Sequence, residues 1–323
     1  MIRFSMASAL LAFVFIGSPT SHVGAQAANQ ATKECDYLEH SQPLGDSGEA
    51  SIVYASSSDM LSASIGDLKR LIASQMDPNA VEEGSHWSLL AMAGANGRFE
   101  VVKYLVESGA CVDIRDMDGI TPLIQTSCTT LIRTESGKAQ NPGFRKTIEF
   151  LLHNGADPNA RSSNSTTALI CAASENHVDI MEPLLEGGAE LNATSSYGWT
   201  ALMTAANTGH VRAVTYLLNN GADLEQRDND GLTALILATL EGHKKILNSL
   251  IAAGADVNAQ GRLSHSPLMV VSMQGNEEFA RILLRNKADM SLENYKGQTA
   301  MMLAKERGQP SIMAILREAG ARK

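Results

Sequence analysis

The chain has 323 residues, 44 % of them hydrophobic and 19 % charged, with a formal net charge of −9 at neutral pH. An acidic chain with scattered Lys and Arg gives no electrostatic reason to expect nucleic acid or an anionic membrane as partner. Length alone allows two domains, but an internal periodicity described below replaces that expectation.

Residues Met1 to Ala27 read as a secretory signal peptide. Arg3 supplies a positive n-region, the apolar run from Ala9 to Ile16 is far too short to span a bilayer, and Ala25-Gln26-Ala27 is an A-x-A cleavage site. A buried N-terminal helix is the competing reading. No Cys follows the run at lipoprotein spacing and no twin arginine precedes it. The expectation is an exported, soluble mature protein, periplasmic or secreted, with no second apolar stretch of membrane length. Removing the leader takes away one Arg and no acid, so the formal charge moves from −9 to −10.

Residues 28–58 contain Ser, Gln and Gly with little periodicity, and read as a linker plus an irregular N-terminal cover. A repeat domain then occupies 59–323. Ser64 to Ala80 is a worn first repeat, its second helix preserved in Leu68, Leu71 and Ile72 and its exit in Asp77-Pro78-Asn79-Ala80. The second repeat runs from about Val81 to Ile114 and the third from Arg115 to Ala160. The remaining five begin near Arg161, Thr194, Gln226, Gln260 and Leu292. The last carries Lys305, Glu306, Arg307, Arg317 and Glu318, as a solvated terminal repeat should.

The stretch Tyr197–Glu225 shows one unit whole. Tyr197-Gly198 makes a turn, because Gly accepts positive φ without steric cost. Thr200 is placed to cap a first short helix, whose apolar face is Leu202, Ala205 and Ala206 and whose end is Gly209. Val211, Val214, Leu217 and Leu218 recur at helical spacing in a second helix, closed by Gly221. Neither helix is long enough to stand alone in water. The Gly-Ala pair returns every 33 residues at Gly155, Gly188, Gly221, Gly254 and Gly320, with Lys287-Ala288 in the same series. The capping residue keeps phase at Thr167, Thr200, Thr233, Ser266 and Thr299. Upstream, Gly109-Ala110 and Thr121-Pro122-Leu123 fit the template, and the next landmark comes 13 residues late.

A 33-residue period of turn plus two helices resembles the ankyrin-repeat family. The resemblance covers the chain from about Asp59 onward. It implies an all-α-dominated solenoid of about eight units, each a turn or hairpin plus two antiparallel helices. The chain departs from the family's T-P-L-H signature, since Pro persists only at Pro122 and Pro267 and the His is absent. Its slot holds Ala91, Ile124, Ile170, Met203, Ile236, Met269 and Met302. Apolar packing between repeats is expected there, with the methionines in the core, because Met fills irregular gaps. The insertion, about 131–144, falls between the two helices of the third repeat. It reads as a tolerated surface loop or, alternatively, as an added contact element.

Four cysteines, Cys35, Cys111, Cys128 and Cys171, allow three pairings in an oxidising compartment and match no zinc spacing. Cys171 shares its slot with Leu237, Val270 and Leu303 and is expected to be buried; Cys128 falls where the family's groove lies. His177, His210 and His243 recur every 33 residues, either as a metal ladder or as turn residues. Helices pack about 8–10 Å apart, too far for adjacent rungs to share an ion whose ligand nitrogens lie about 2.1 Å away. No nucleophile–base motif and no phosphate-cradling Gly loop occurs, so neither catalysis nor a cofactor is expected.

The resemblance assigns binding to the residue before each capping Thr or Ser, a column reading Trp87, Ile120, Thr166, Trp199, Leu232, His265 and Gln298. Neighbouring turn residues are Met117, Tyr197, Arg262, Leu263 and Tyr295. Groove candidates include Asn207 and Thr208, Leu240 and Glu241, and Met273 and Gln274. Both Trp residues of the chain lie in this column, either as contact residues or as packing against the next hairpin. The expected function is a non-catalytic scaffold for a protein partner. The alternatives are an assembly or protection factor for a periplasmic enzyme, and a metal-binding protein or enzyme.

Overall fold

The computed structural model describes residues 65–73, 77–81, 87–129 and 142–320. The signal peptide, the 28–58 cover, Cys35 and most of the insertion lie outside the described residues. After a single helix α1 (Ile65–Ala73) come successive helix pairs: α2 (Leu89–Ala95) with α3 (Phe99–Glu107), α4 (Pro122–Ser127) with α5 (Pro142–His153), and α6 (Ala168–Ser174) with α7 (Val178–Glu186). The series continues with α8 (Ala201–Thr208) and α9 (Val211–Asn219), α10 (Ala234–Leu240) and α11 (Lys244–Ala252), α12 (Pro267–Gln274) and α13 (Glu277–Arg285), and α14 (Ala300–Glu306) and α15 (Pro310–Glu318).

Each first helix starts because a hydroxyl accepts a backbone N–H that the helix leaves orphaned. Thr200 Oγ1 accepts from Met203 N at 3.2 Å, and Ser88, Thr121, Thr167, Thr233, Ser266 and Thr299 each accept from the N–H three residues on. Pro122 and Pro267 occupy the first helical position, where a missing N–H costs nothing. First helices pack on first helices, and second helices on second helices, so two layers enclose one core of Leu, Ile, Val and Ala. Leu202, Ala205, Ala206, Val214 and Leu217 are all buried in it, so the short helices are held by their neighbours rather than by their own propensity.

Three polar ladders tie successive repeats. At the hairpin base, Arg115 donates to the Arg161 carbonyl at 2.8 Å, Arg161 to that of Thr194 at 2.7 Å, and Arg227 to that of Gln260 at 2.6 Å. At the exits, the side-chain oxygens of Asn159, Asn192 and Asn258 accept from Glu190 N, Asp223 N and Asp289 N at 2.7–3.0 Å. At the inter-helix turns, His177, His210 and His243 place Nε2 at 2.7, 2.8 and 3.0 Å from the carbonyls of Thr129, Ser174 and Asn207. A carbonyl only accepts, which puts the proton on Nε2 in all three.

One expectation about the stack needs correction. Met203 and Met269 are buried, but Met302 is 50 % exposed. The slot is filled from the following repeat, and α14 belongs to the last helix pair of the described stack. The described end of the insertion, from Pro142, is helical. Helix α5 starts at Pro142 and has 12 residues where most second helices have 9, so the inserted chain adds a helical turn.

Candidate functional site

Backbone bonds join neighbouring hairpin tips, and an Arg262–Asp230 ion pair bridges the step between the Asp230 and Leu263 tips. Ser163 N donates to Asp118 O at 2.7 Å, Ser196 N to Asn164 O at 2.8 Å, Asn229 N to Tyr197 O at 3.1 Å and Tyr295 N to Leu263 O at 3.2 Å. The tips therefore form a fixed row. Along it, Met117 is 63 % exposed, Tyr197 53 %, Leu263 49 % and Tyr295 57 %. The last bond makes Leu263 and Tyr295 neighbours. Lys296 Nζ lies 5.4 Å from the Tyr295 ring centre, and Arg262 Nε 3.5 Å from Asp230 Oδ1, so charges flank this pair.

The Leu263 tip is unlike the others. Two residues before the cap, Gly198, Gly231 and Gly297 have φ of 78°, 75° and 71°, and Ser165 and Ser264 take 59° and 58°; at this tip the residue before that one is left-handed as well. Leu263 itself adopts φ 58° and ψ 25°. A bulky side chain in the left-handed region is strained. The turn takes this form because Gly261 stands where Asp228 and Asn294 cap their own turns with a side chain. Asp228 Oδ1 accepts from Asp230 N and Leu232 N at 2.9 and 2.7 Å, and Asn294 Oδ1 accepts from Lys296 N and Gln298 N.

The residues of the column before the caps are braced by the next hairpin. Trp199 Nε1 donates to Asp228 Oδ2 at 3.1 Å, and burial pushes the Asp228 carboxyl above the usual carboxylate range against three hydrogen bonds that pull it down. His265 stands in the same relation to Asn294, with Nε2 and Nδ2 3.4 Å apart. Trp87, Ile120, Trp199 and Leu232 are half-buried against the core. The Asp228 brace was missed from the sequence, although a carboxylate beginning the Asp228–Gly231 turn one repeat on was its visible sign.

Among the groove candidates, Leu240 is 39 % exposed and Gln274 exposed, donating to the Leu240 carbonyl at 3.0 Å. Asn207 is corrected: it is 3 % exposed, and neither polar atom of its side chain has a hydrogen-bond partner. It packs inside the stack instead of lining a surface.

Burial lowers the His210 pKa; its bond to Ser174 and the nearby Glu175 oppose that, while His243 and His177 reinforce it. The histidines thus serve the stack, each ring spent on a carbonyl of the preceding repeat. Among the described residues no three His, Cys, Asp or Glu side chains gather as a metal site. Cys171 is buried as expected and is disulfide-bonded to Cys128, with Cα atoms 4.6 Å apart; Cys111 is also disulfide-bonded.

Stacked short helix pairs with hairpin tips in a row define a helical repeat solenoid. Models of the ankyrin repeat match it: one described as ankyrin repeats in three copies covers residues 137–228, 184–261 and 235–323, and a single-repeat model covers 86–117. The chain belongs to the ankyrin-repeat family. It is also 40 % identical over 90 residues to an ankyrin repeat and KH domain-containing protein of Caenorhabditis briggsae. That match spans 27 % of this chain and 3 % of the relative's length.

Proposed function

We propose that the chain is a non-catalytic scaffold that binds a partner protein along the row of hairpin tips. One observation carries the reading: Met117, Tyr197, Leu263 and Tyr295 are large apolar side chains, about half or more exposed, each on a tip whose backbone is bonded to a neighbouring tip. Exposed apolar side chains held on a preformed frame favour binding, because little conformational entropy is lost on association. Tyr is a frequent hot-spot residue, and such a row suits an interface of about 800 Å² per partner. Trp87 and Trp199 serve as backing for the row, with Ile120, Leu232 and His265 beside them.

The reading includes export to the periplasm or the extracellular space. The leader-like residues 1–27 support it, and so do the bonded states of Cys111, Cys128 and Cys171, since disulfides persist in oxidising compartments. In a eukaryotic secretory route, Asn164 and Asn192 become glycan acceptors.

The test is affinity capture from the native exported fraction, with the wild-type chain and a Tyr197→Ala/Leu263→Ala/Tyr295→Ala triple variant compared by quantitative mass spectrometry. The variant should fold and lose at least tenfold of a wild-type-specific protein. Equal recovery by both would place binding elsewhere.

A further inference from the structure

The Cys128–Cys171 bond stands where the repeat design is broken. In six repeats the residue nine positions after the cap is left-handed: Gly97, Asn176, Gly209, Gly242, Gly275 and Gly308. The next residue then donates its N–H back to the first helix, as Arg98 to Ala93, His177 to Ala172, His210 to Ala205 and His243 to Ala238, at 2.8–3.0 Å. The second helix starts one residue later. In the third repeat these two positions are Thr130 and Leu131, and α5 begins only at Pro142. The inserted residues thus fall, in the sequence, where elsewhere one short turn joins first helix to second. Helix α4, with 6 residues, is also shorter than the other first helices, which have 7 or 8.

Cys128 caps the C-terminal end of that helix, and Cys171 sits in the buried face of α6, 43 residues on. The described disulfide thus links two consecutive repeats, and it does so at the one whose two helices are separated by the insertion. We propose that it is a redox-sensitive latch: it holds the repeat that carries the insertion onto the next one, and reducing it loosens the third repeat and those before it while the stack from α6 onward stays folded.

The chemistry requires a two-electron reductant, and a vicinal dithiol is the class that fits. Its thiolate attacks Sγ of Cys128, the less buried of the two cysteines. The Cys128–Cys171 bond breaks, the Cys171 thiolate leaves and takes a proton, and a mixed disulfide forms on Cys128. The second thiol of the reductant displaces Cys128 and closes a cyclic disulfide, which leaves two protein thiols. In a repeat stack, stability is carried by neighbour contacts, so a loss at one interface is felt on the side with fewer neighbours. That side carries Met117. Reduction would then take Met117 out of line with the other tips.

The test is hydrogen exchange by mass spectrometry on the full mature chain, wild type against Cys128→Ser/Cys171→Ser, which leaves the Cys111 bond untouched. Amides of α2, α3 and α4 should exchange on the order of a hundredfold faster in the variant, with α8 to α15 unchanged. Unchanged exchange, or acceleration spread evenly along the stack, would overturn the latch. A second variant adds Thr130→Gly and removal of residues 131–143 to the double substitution. Restored protection of α4 supports a latch that compensates for the insertion, and continued rapid exchange of α4 refutes it.

Discussion

Gly209 tests the architecture most directly, because two separable costs meet there. Its φ is 84°, and a Cβ would lie 2.7 Å from Cε1 and 3.0 Å from both ring nitrogens of His243. The ring must then swing away, breaking the 3.0 Å bond from His243 Nε2 to Asn207 O. Gly242 is the matched control, with φ 76° and open space, out to 4 Å, around the point where a Cβ would sit. Gly242→Ala should therefore cost only the left-handed conformation, about 1 kcal/mol. Gly209→Ala should cost that plus a partly buried hydrogen bond and its orphaned carbonyl, about 2–3 kcal/mol in all. For a domain of this size 1 kcal/mol shifts Tm by about 2–4 °C. Urea and thermal unfolding followed by circular dichroism, under non-reducing conditions, should rank wild type above Gly242→Ala and that above Gly209→Ala. Equal losses for the two variants would refute the claim that the histidines are structural rungs.

Lys287 occupies the helix-closing slot with φ 66°, where Gly221 and Gly254 have 81° and 99°; Lys287→Gly should stabilise by about 0.5–1 kcal/mol in the denaturant midpoint. Thr147 is fully buried with an unpaired hydroxyl, in a column otherwise filled by Val101, Ile180, Ala213 and Ile246; Thr147→Val should add about 1 kcal/mol, and a loss would show that the hydroxyl is bonded after all. The lowered His210 pKa means the folded state resists the proton, so its contribution is full above the ordinary value near 6.5 and falls as pH drops from there through the folded value. His210→Gln, the residue type at the equivalent Gln309, should remove that part of the pH dependence, seen as a flatter stability curve between about pH 7.5 and 5. Leu263→Gly should gain about 0.5–1 kcal/mol by relieving φ 58° yet weaken partner capture; a gain in both would remove Leu263 from the binding row.

The stack was legible in the sequence because its determinants are local and repeat. A capping Thr, a helical run of Leu and Ala, and a closing Gly recur in one register, and each is satisfied within its own unit. What joins the units was less legible. The Trp199–Asp228 and Arg227–Gln260 contacts link residues 29 and 33 apart and depend on how one hairpin lies on the next. Met302 was misplaced for the same reason: its slot is buried only when another repeat covers it. Asn207 shows the opposite failure, a polar residue at a surface register that the packing of α8 nevertheless encloses.

Those two kinds of residue separate stacking from binding. Side chains that hold the solenoid point along its axis and find partners one repeat away, as the histidine, arginine and asparagine ladders do. Met117, Tyr197, Leu263 and Tyr295 leave about half or more of their surface to solvent. Solvent exposure of a large apolar group contributes nothing to the stack, and at Leu263 the backbone also takes a strained conformation to present it. A stable fold would be better served by Gly at that position, because Gly adopts the left-handed conformation without steric cost. Apolar exposure on a rigid tip, joined at Leu263 by conformational strain, is therefore the physical signature that sets the proposed binding row apart from the polar ladders beneath it.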